Sequence, residues 1–162
     1  MAIETVADII RTHAVERPDA IAVEVGDQVA TFGDLDRRSS QLAHALAAAG
    51  VGPGDRVASI DKNSMEFFEI TFALAKIGAV HVAVNWRLAP VEMQQIIDDA
   101  KAPVLLVAPD FYAHVEKIEG DLATVRTIVA LGDHARWATY DAFLSGQPDT
   151  DPGHRAAGED VA

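Results

Sequence analysis

Residues 31–99 read TFGDLDRRSSQLAHALAAAGVGPGDRVASIDKNSMEFFEITFALAKIGAVHVAVNWRLAPVEMQQIIDD, and the order of signals in this stretch decides the fold. Thr31 with Asp34 three residues later has the form of a helix cap. Leu35, Leu42, Leu46 and Ala49 then recur at helical spacing and give one apolar face, and Gly50 ends the helix. Gly54-Asp55 turns into a short apolar run, residues 57–60, that reads as a strand. Asn63 with Glu66 three residues on reads as the cap of a helix over 65–77. That helix carries Phe67, Phe68, Ile70, Phe72, Leu74 and Ile77, an apolar coverage too broad for a surface helix, so it is expected between layers. Gly78 stops it, residues 80–84 form a strand, and Pro90 at a helix N1 position opens PVEMQQIIDDA.

Outward from this block, Thr5 and Asp8 start an N-terminal helix with Val6, Ile9, Ile10 and His13 along one side, ended by Pro18. Residues 20–25 and 28–31 flank Gly26-Asp27 and read as a β-hairpin. Downstream, 104–107 and 128–131 are short apolar runs with a helical stretch over 111–118 between them, and 137–144 forms a last helix. Strands alternating with helices of this length predict an α/β fold: a mainly parallel sheet with helices on both faces, plus the opening hairpin. From Gly146 the sequence GQPDTDPGHRAAGED is rich in Pro, Gly and Asp and reads as a solvated linker. The expected organisation is an incomplete α/β subdomain over 1–146 and a linker over 147–162.

The chain has 162 residues, a net charge of −12 and no cysteine. An acidic surface with scattered basic residues repels phosphate backbones, which argues against nucleic acid as a partner. Without cysteine there is no disulfide, thiolate catalysis or Cys-ligated metal. No apolar run approaches the ~18 residues of a membrane span, and the N-terminus lacks the layout of a secretion signal. A soluble cytoplasmic protein is expected, with peripheral membrane contact left open.

The candidate chemistry is sparse. In GVGPGDRV, residues 50–57, the glycines follow a helix and precede a strand, the reverse of a phosphate cradle, so a connector is expected. None of His13, His44, His81, His114, His134 and His154 pairs with another at i, i+4. Asp110 and His114 have that spacing but read as a solvated face. His81 lies in an apolar strand, either as a hydrogen-bonded semi-buried side chain or facing a substrate channel; the former is favoured. Asp98-Asp99 and Asp34 with Asp36 read as surface charge rather than cation sites. Ser39, Ser40, Ser59, Ser64 and Ser145 lack a G-x-S-x-G elbow. Asn85-Trp86-Arg87-Leu88 follows a strand, where open α/β sheets gather ligands, and is the best site candidate. The alternative is that Asn85 and Arg87 tie down the loop while Trp86 covers apolar surface.

In the order of these parts the chain resembles the N-terminal portion of adenylate-forming enzymes, in particular fatty-acyl-CoA ligases. The matching positions are Thr31, Leu35, Gly50, Gly54-Asp55-Arg56-Val57, Asn63, Gly78-Ala79, Asn85 and Leu88. Ala83 departs from the family's frequent proline, and Asp61-Lys62 from its usual apolar residue and proline. The resemblance implies activation of a carboxylic acid by Mg-ATP to an acyl-adenylate, followed by transfer to CoA. The phosphate loop, the Thr-Glu pair near the metal, the ribose-binding Asp and the mobile Lys of that family would all lie beyond Ala162. No catalytic, cofactor-binding or metal residue is therefore assigned within the chain, which is expected to be inactive alone and to hold no ATP, Mg²⁺ or CoA. Two other readings are a stand-alone binding module derived from the family and an unrelated flavodoxin-like domain. A truncated sheet would leave an unpaired edge, making homo-oligomers a further hypothesis.

Overall fold

Three threonines set the starts of helices. Thr5, Thr31 and Thr139 each adopt extended backbone and accept a hydrogen bond from the third residue of the helix that follows. At the first two the box is reciprocal, because Asp8 and Asp34 accept bonds from the amides of Thr5 and Thr31. These caps open α1 (Val6–Glu16) and α2 (Phe32–Ala48); between them β1 (Ile21–Val25) and β2 (Gln28–Thr31) form the expected antiparallel hairpin. The computed structural model describes residues 3–155. It continues with β3 (Arg56–Ile60), α3 (Met65–Ile77), β4 (Val80–Ala83), α4 (Pro90–Ala100), β5 (Val104–Val107), α5 (Tyr112–Val115), β6 (Thr127–Ala130), β7 (Ala138–Thr139) and α6 (Tyr140–Leu144).

Strands β3 to β7 form one parallel five-stranded sheet in the order β4-β3-β5-β6-β7. Side chains alternate between its faces. Val57, Val104, Leu106 and Val129 join a core with Leu42 and Leu46 of α2, Ile70, Leu74 and Ile77 of α3, and Leu144 of α6. Ala58, Ile60, Leu105 and Val107 join a second core with Met93 and Ile97 of α4 and Val115 of α5. All four residues of β5 are buried, as a strand covered on both sides requires. Truncating one such side chain to alanine costs about 2–5 kcal/mol.

Several expectations are corrected. Helix α1 buries Ala7, Ile10, Arg11 and Thr12, whereas Val6 and Ile9 are exposed, so its inward face is rotated from the one drawn through Val6, Ile9 and His13. The capping residue before α3 is Ser64, not Asn63. Asn63 takes φ 62°, and the Asp61 carboxylate accepts from both the Ser64 amide and the Ser64 hydroxyl. The helical stretch over 111–118 is one turn of α5 between 3₁₀ turns at Pro109–Phe111 and Glu119–Asp121. Residues 137–144 split into the edge strand β7 and α6, because Thr139 caps the helix two residues inside that span. Helix α3 packs against α1, α2 and β4, yet Phe67, Phe68 and Phe72 remain half-buried. Beyond Gly146 the chain is not fully solvated: Asp151 pairs with the buried Arg11.

The layer of α2 and α3 is polar at its centre. Lys76 is 0% exposed, and its Nζ donates to Asp36 Oδ1 at 2.6 Å, the Asp36 carbonyl at 2.8 Å and Ser40 Oγ at 2.8 Å. Burial pushes the Lys76 ammonium below its ordinary value, opposed by Asp36. Asp36 is thus an ion-pair partner rather than free surface charge. Nearby, Tyr140 donates to Glu69 at 2.7 Å and Arg38 approaches the same carboxylate at 3.4 Å. Burial raises the Glu69 carboxyl despite these partners.

Two predictions follow from these polar contacts. Asp36→Ala takes from the buried Lys76 its hydrogen-bonded counter-charge, leaving only the more distant Asp151, and should cost about 3 kcal/mol, whereas Lys76→Met, which frees the part-exposed Asp36 to hydrate, should cost within about 1 kcal/mol. Urea unfolding of both variants checks the asymmetry, and equal losses would contradict it. Thr31→Ala should cost about 1 kcal/mol and lower Tm by about 2–4 °C. Thr31 hydrogen bonding holds the Asp34 carboxyl below the ordinary range, and Thr5 does the same for Asp8. For a carboxylate depressed on folding, the cap's contribution is present above the ordinary carboxylate range and is lost as pH falls through the folded value. The Tm difference between Thr31→Ala and the parent should therefore shrink on acidification.

Candidate functional site

The strand order contains one reversal. From β3 the chain moves outward through α3 to β4, then crosses back through α4 to β5 on the other side of β3. The loops after β3 and β5 therefore part company at the carboxyl end of the sheet, the place where open α/β sheets form their ligand crevice. Asp61 and Lys62 follow β3, Asn85 to Leu88 follow β4, and Pro109–Phe111 follows β5.

These three loops meet at Lys62. Its Nζ donates to Asp110 Oδ2 at 2.8 Å and lies 5.0 Å from the Trp86 ring and 5.5 Å from the Phe111 ring. The Arg87 guanidinium carbon sits 3.9 Å from the Trp86 ring centroid. Trp86 is half-buried against the second core, with its ring 6.0 Å from Phe111. Asn85 Oδ1 accepts from the Arg87 amide at 3.1 Å, and the Asn85 carbonyl accepts from the Leu88 amide at 3.2 Å. Asn85 thus shapes the turn, Trp86 packs, and Arg87 keeps its charge in solvent. These contacts bear out the structural reading, in which Asn85 ties down the loop and Trp86 covers apolar surface. Two cations against one indole make a surface suited to an anionic ligand with an aromatic ring.

Lys62 went unnoticed as a site residue because a lone lysine two positions past a strand has no motif. Its location just after an interior strand, β3, was the available signal. The Asp61-Lys62 pair has a structural reason: Asp61 accepts from the amide and hydroxyl of Ser64, the residue before α3, and Lys62 spans to Asp110. Lys76 lies among Ile70, Ala73, Leu74 and Ile77 on the buried face of α3, a placement visible in the spacing but not read from it.

The remaining candidates are structural. In residues 50–57, Asp55 accepts from the Gly52 amide at 2.8 Å and the Gly54 amide donates to the Gly78 carbonyl at 2.7 Å, so the segment is a connector with Gly54 at φ 79°. His81 bonds through both ring nitrogens, to Ser59 Oγ at 2.8 Å and Thr71 Oγ1 at 3.3 Å, and burial lowers its proton affinity. Ser39 donates to the Asp36 carbonyl, and Ser40 serves Lys76. Asp98 accepts from the Ala123 amide, Asp110 pairs with Lys62, and His114 packs on Phe111. His13 packs on Phe32, His44 bonds the Thr150 carbonyl, His134 stacks on Trp137, and the His154 ring lies against Gly78. Among the described residues no three His, Cys, Asp or Glu side chains gather as metal ligands, and no helix is long and apolar enough to cross a membrane.

Residues 10–162 match the family described as AMP-binding enzyme. A fatty acid–[acyl-carrier-protein] ligase, ScoC, of Streptomyces coeruleorubidus is 39% identical over 150 residues, covering 93% of this chain and 28% of that protein. A 3-hydroxybenzoate–CoA ligase of an Aromatoleum species is 35% identical over 145 residues, covering 89% of this chain and 28% of that protein. The solved fatty acyl CoA synthetase of Mycobacterium tuberculosis superposes with a TM-score of 0.86 at 26% identity, over 98% of this chain and 31% of that one. The chain thus spans about 28% of the length of the curated relatives compared, which are acid–thiol ligases acting on different acids. Order of elements, sheet, hairpin and sequence agree, and the chain belongs to the AMP-binding enzyme family, matching its N-terminal portion.

Proposed function

We propose that this chain is the N-terminal subdomain of a fatty-acid–CoA ligase, with residues 1–146 as the α/β body and 147–162 leading toward the nucleotide-activating part. The complete enzyme would join a carboxylic acid to ATP as an acyl-adenylate and pass the acyl group to CoA. A fatty acid as substrate is supported by the names of two relatives, ScoC and the mycobacterial synthetase. ATP and Mg²⁺ belong to the downstream part in this reading. The family's attacking group is the substrate's own carboxylate, so the protein has only to position reactants and neutralise charge.

The observation that carries the role of these residues is the meeting of Lys62 and Arg87 on Trp86 at the carboxyl end of the sheet. This departs from the expectation that the chain holds no CoA: CoA would fit this donor set, because its nucleotide end brings phosphates for the two cations and a purine beside the indole. A carrier-protein acceptor, which presents only the phosphopantetheine arm, has less use for the pair. When bound, CoA supplies the thiol that receives the acyl group. Arg87 and Lys62 would hold its phosphates, with Trp86 and Phe111 packed against the two cations. Asn85 fixes the turn that presents Arg87.

The reading separates the two half-reactions. In the full-length enzyme, Arg87→Ala should raise the KM for CoA about tenfold or more, the equivalent of one charged hydrogen bond of about 1.5 kcal/mol. Fatty-acid-dependent pyrophosphate release should stay within about twofold, since that step precedes the thiol. Lys62→Ala should act in the same direction, more weakly, because Asp110 already shares its charge. Equal losses in both half-reactions, or none in either, would contradict the assignment.

A further inference from the structure

We infer that residues 150–155 form a charge-locked strap, a separately opening segment held on the α1–α2–α3 layer by the grip of Arg11 on Asp151. The Arg11 side chain is almost wholly buried, and two of its nitrogens engage the strap carboxylate, Nε to Oδ2 at 2.5 Å and Nη2 to Oδ1 at 3.0 Å. The same Nη2 also donates to the His154 carbonyl at 2.8 Å. The paired geometry is the strong form of ion pair, because a planar guanidinium matches both carboxylate oxygens.

The other contacts of the segment converge on the same layer. His44 of α2 bonds the Thr150 carbonyl at 2.9 Å, and Asp151 Oδ1 accepts from the Gly153 amide at 2.7 Å, curling the strap around its own carboxylate. The His154 ring rests on Gly78, where an added Cβ would lie 2.5 Å from Nε2. Gly78 therefore serves twice: its φ of 69° ends α3, and its missing side chain makes room for the strap. Beside the lock is an open cleft of about 220 Å³ lined by Arg11, Val15, Asp36, Asp151 and Arg155. The contacts that hold the strap are chiefly polar.

The charges explain why this segment closes despite its Pro, Gly and Asp composition. Asp8 is 3.8 Å from Arg11, and Asp36 is committed to Lys76. Without Asp151, Arg11 keeps one distant counter-charge in a buried place, which is costly. Burial alone would raise the Asp151 carboxyl, but hydrogen bonds from Arg11 and the Gly153 amide, with the charges of Arg11 and Lys76, hold it below the ordinary range. Few apolar contacts and one dominant polar lock are the features of a segment that opens locally, without global unfolding.

Limited trypsin digestion tests the strap with an internal control. Arg155 lies on the strap, exposed and 3.5 Å from Asp151, whereas Arg136 lies between β6 and β7, so the two cuts report on different parts of the fold. In Asp151→Asn the Arg155 cut should accelerate about tenfold or more, with the Arg136 cut changed by less than about twofold, since cleavage tracks the open population. Asp151→Glu, which keeps the charge, should lie between, and Asp149→Asn should match the parent. An unchanged Arg155 rate in Asp151→Asn would overturn the inference. Equal acceleration at both sites would also overturn it, because the segment would then be part of the global core and not a separately opening strap.

Discussion

Everything in this chain follows from one constraint: a parallel sheet must be covered on both faces, and its strands can be joined only by crossovers. Strand β3 is hydrogen-bonded to β4 on one side and β5 on the other, so its neighbours arrive by separate crossovers, α3 and α4. One face takes α2, α3 and α6, the other α4 and α5. The same crossing from β4 back over β3 to β5 sets the loops after β3 and β5 apart at the carboxyl end of the sheet, where open α/β sheets form a ligand crevice. Candidate site and scaffold therefore have a common origin. Lys62, Arg87 and Asp110 come together because three strands end side by side.

The second theme is charge inside the layer of α1, α2 and α3. Lys76 and Arg11 are buried, each with a carboxylate from another part of the chain, Asp36 and Asp151. Such pairs add little net stability compared with apolar residues, but they penalise misplacement strongly. Asp36 ties α2 to α3 in one register, and Asp151 ties the end of the described chain to α1. Glu69, meeting Tyr140 and Arg38, sets α6 against α2 and α3 in the same way.

Much of this was legible in the amino-acid order. The capping boxes at Thr5 and Thr31, the hairpin at Gly26, the glycine stop at Gly78 and Pro90 at the start of α4 are local chemistry, and local chemistry is written in adjacent residues. What escaped depends on distance in sequence. Arg11 and Asp151 are 140 positions apart, and nothing nearby marks either as the other's partner. Asp36 and Asp98 looked like surface charge because their partners, Lys76 and the Ala123 amide, are brought near only by packing. The rotated face of α1 was missed because the buried Arg11 replaced an expected apolar residue. At the candidate site, Asn85 to Leu88 stood out by position after a strand, while the approach of Lys62 to Trp86 depends on the strand order itself.

The most direct measurement is a structure of the proposed full-length ligase with CoA added. The CoA phosphates should lie within ion-pair distance, about 4 Å, of Arg87 and Lys62, with the purine near Trp86. A CoA nucleotide seated elsewhere, with Arg87 and Lys62 still in solvent, would contradict the assignment of the crevice after β3, β4 and β5 as the thiol-side site.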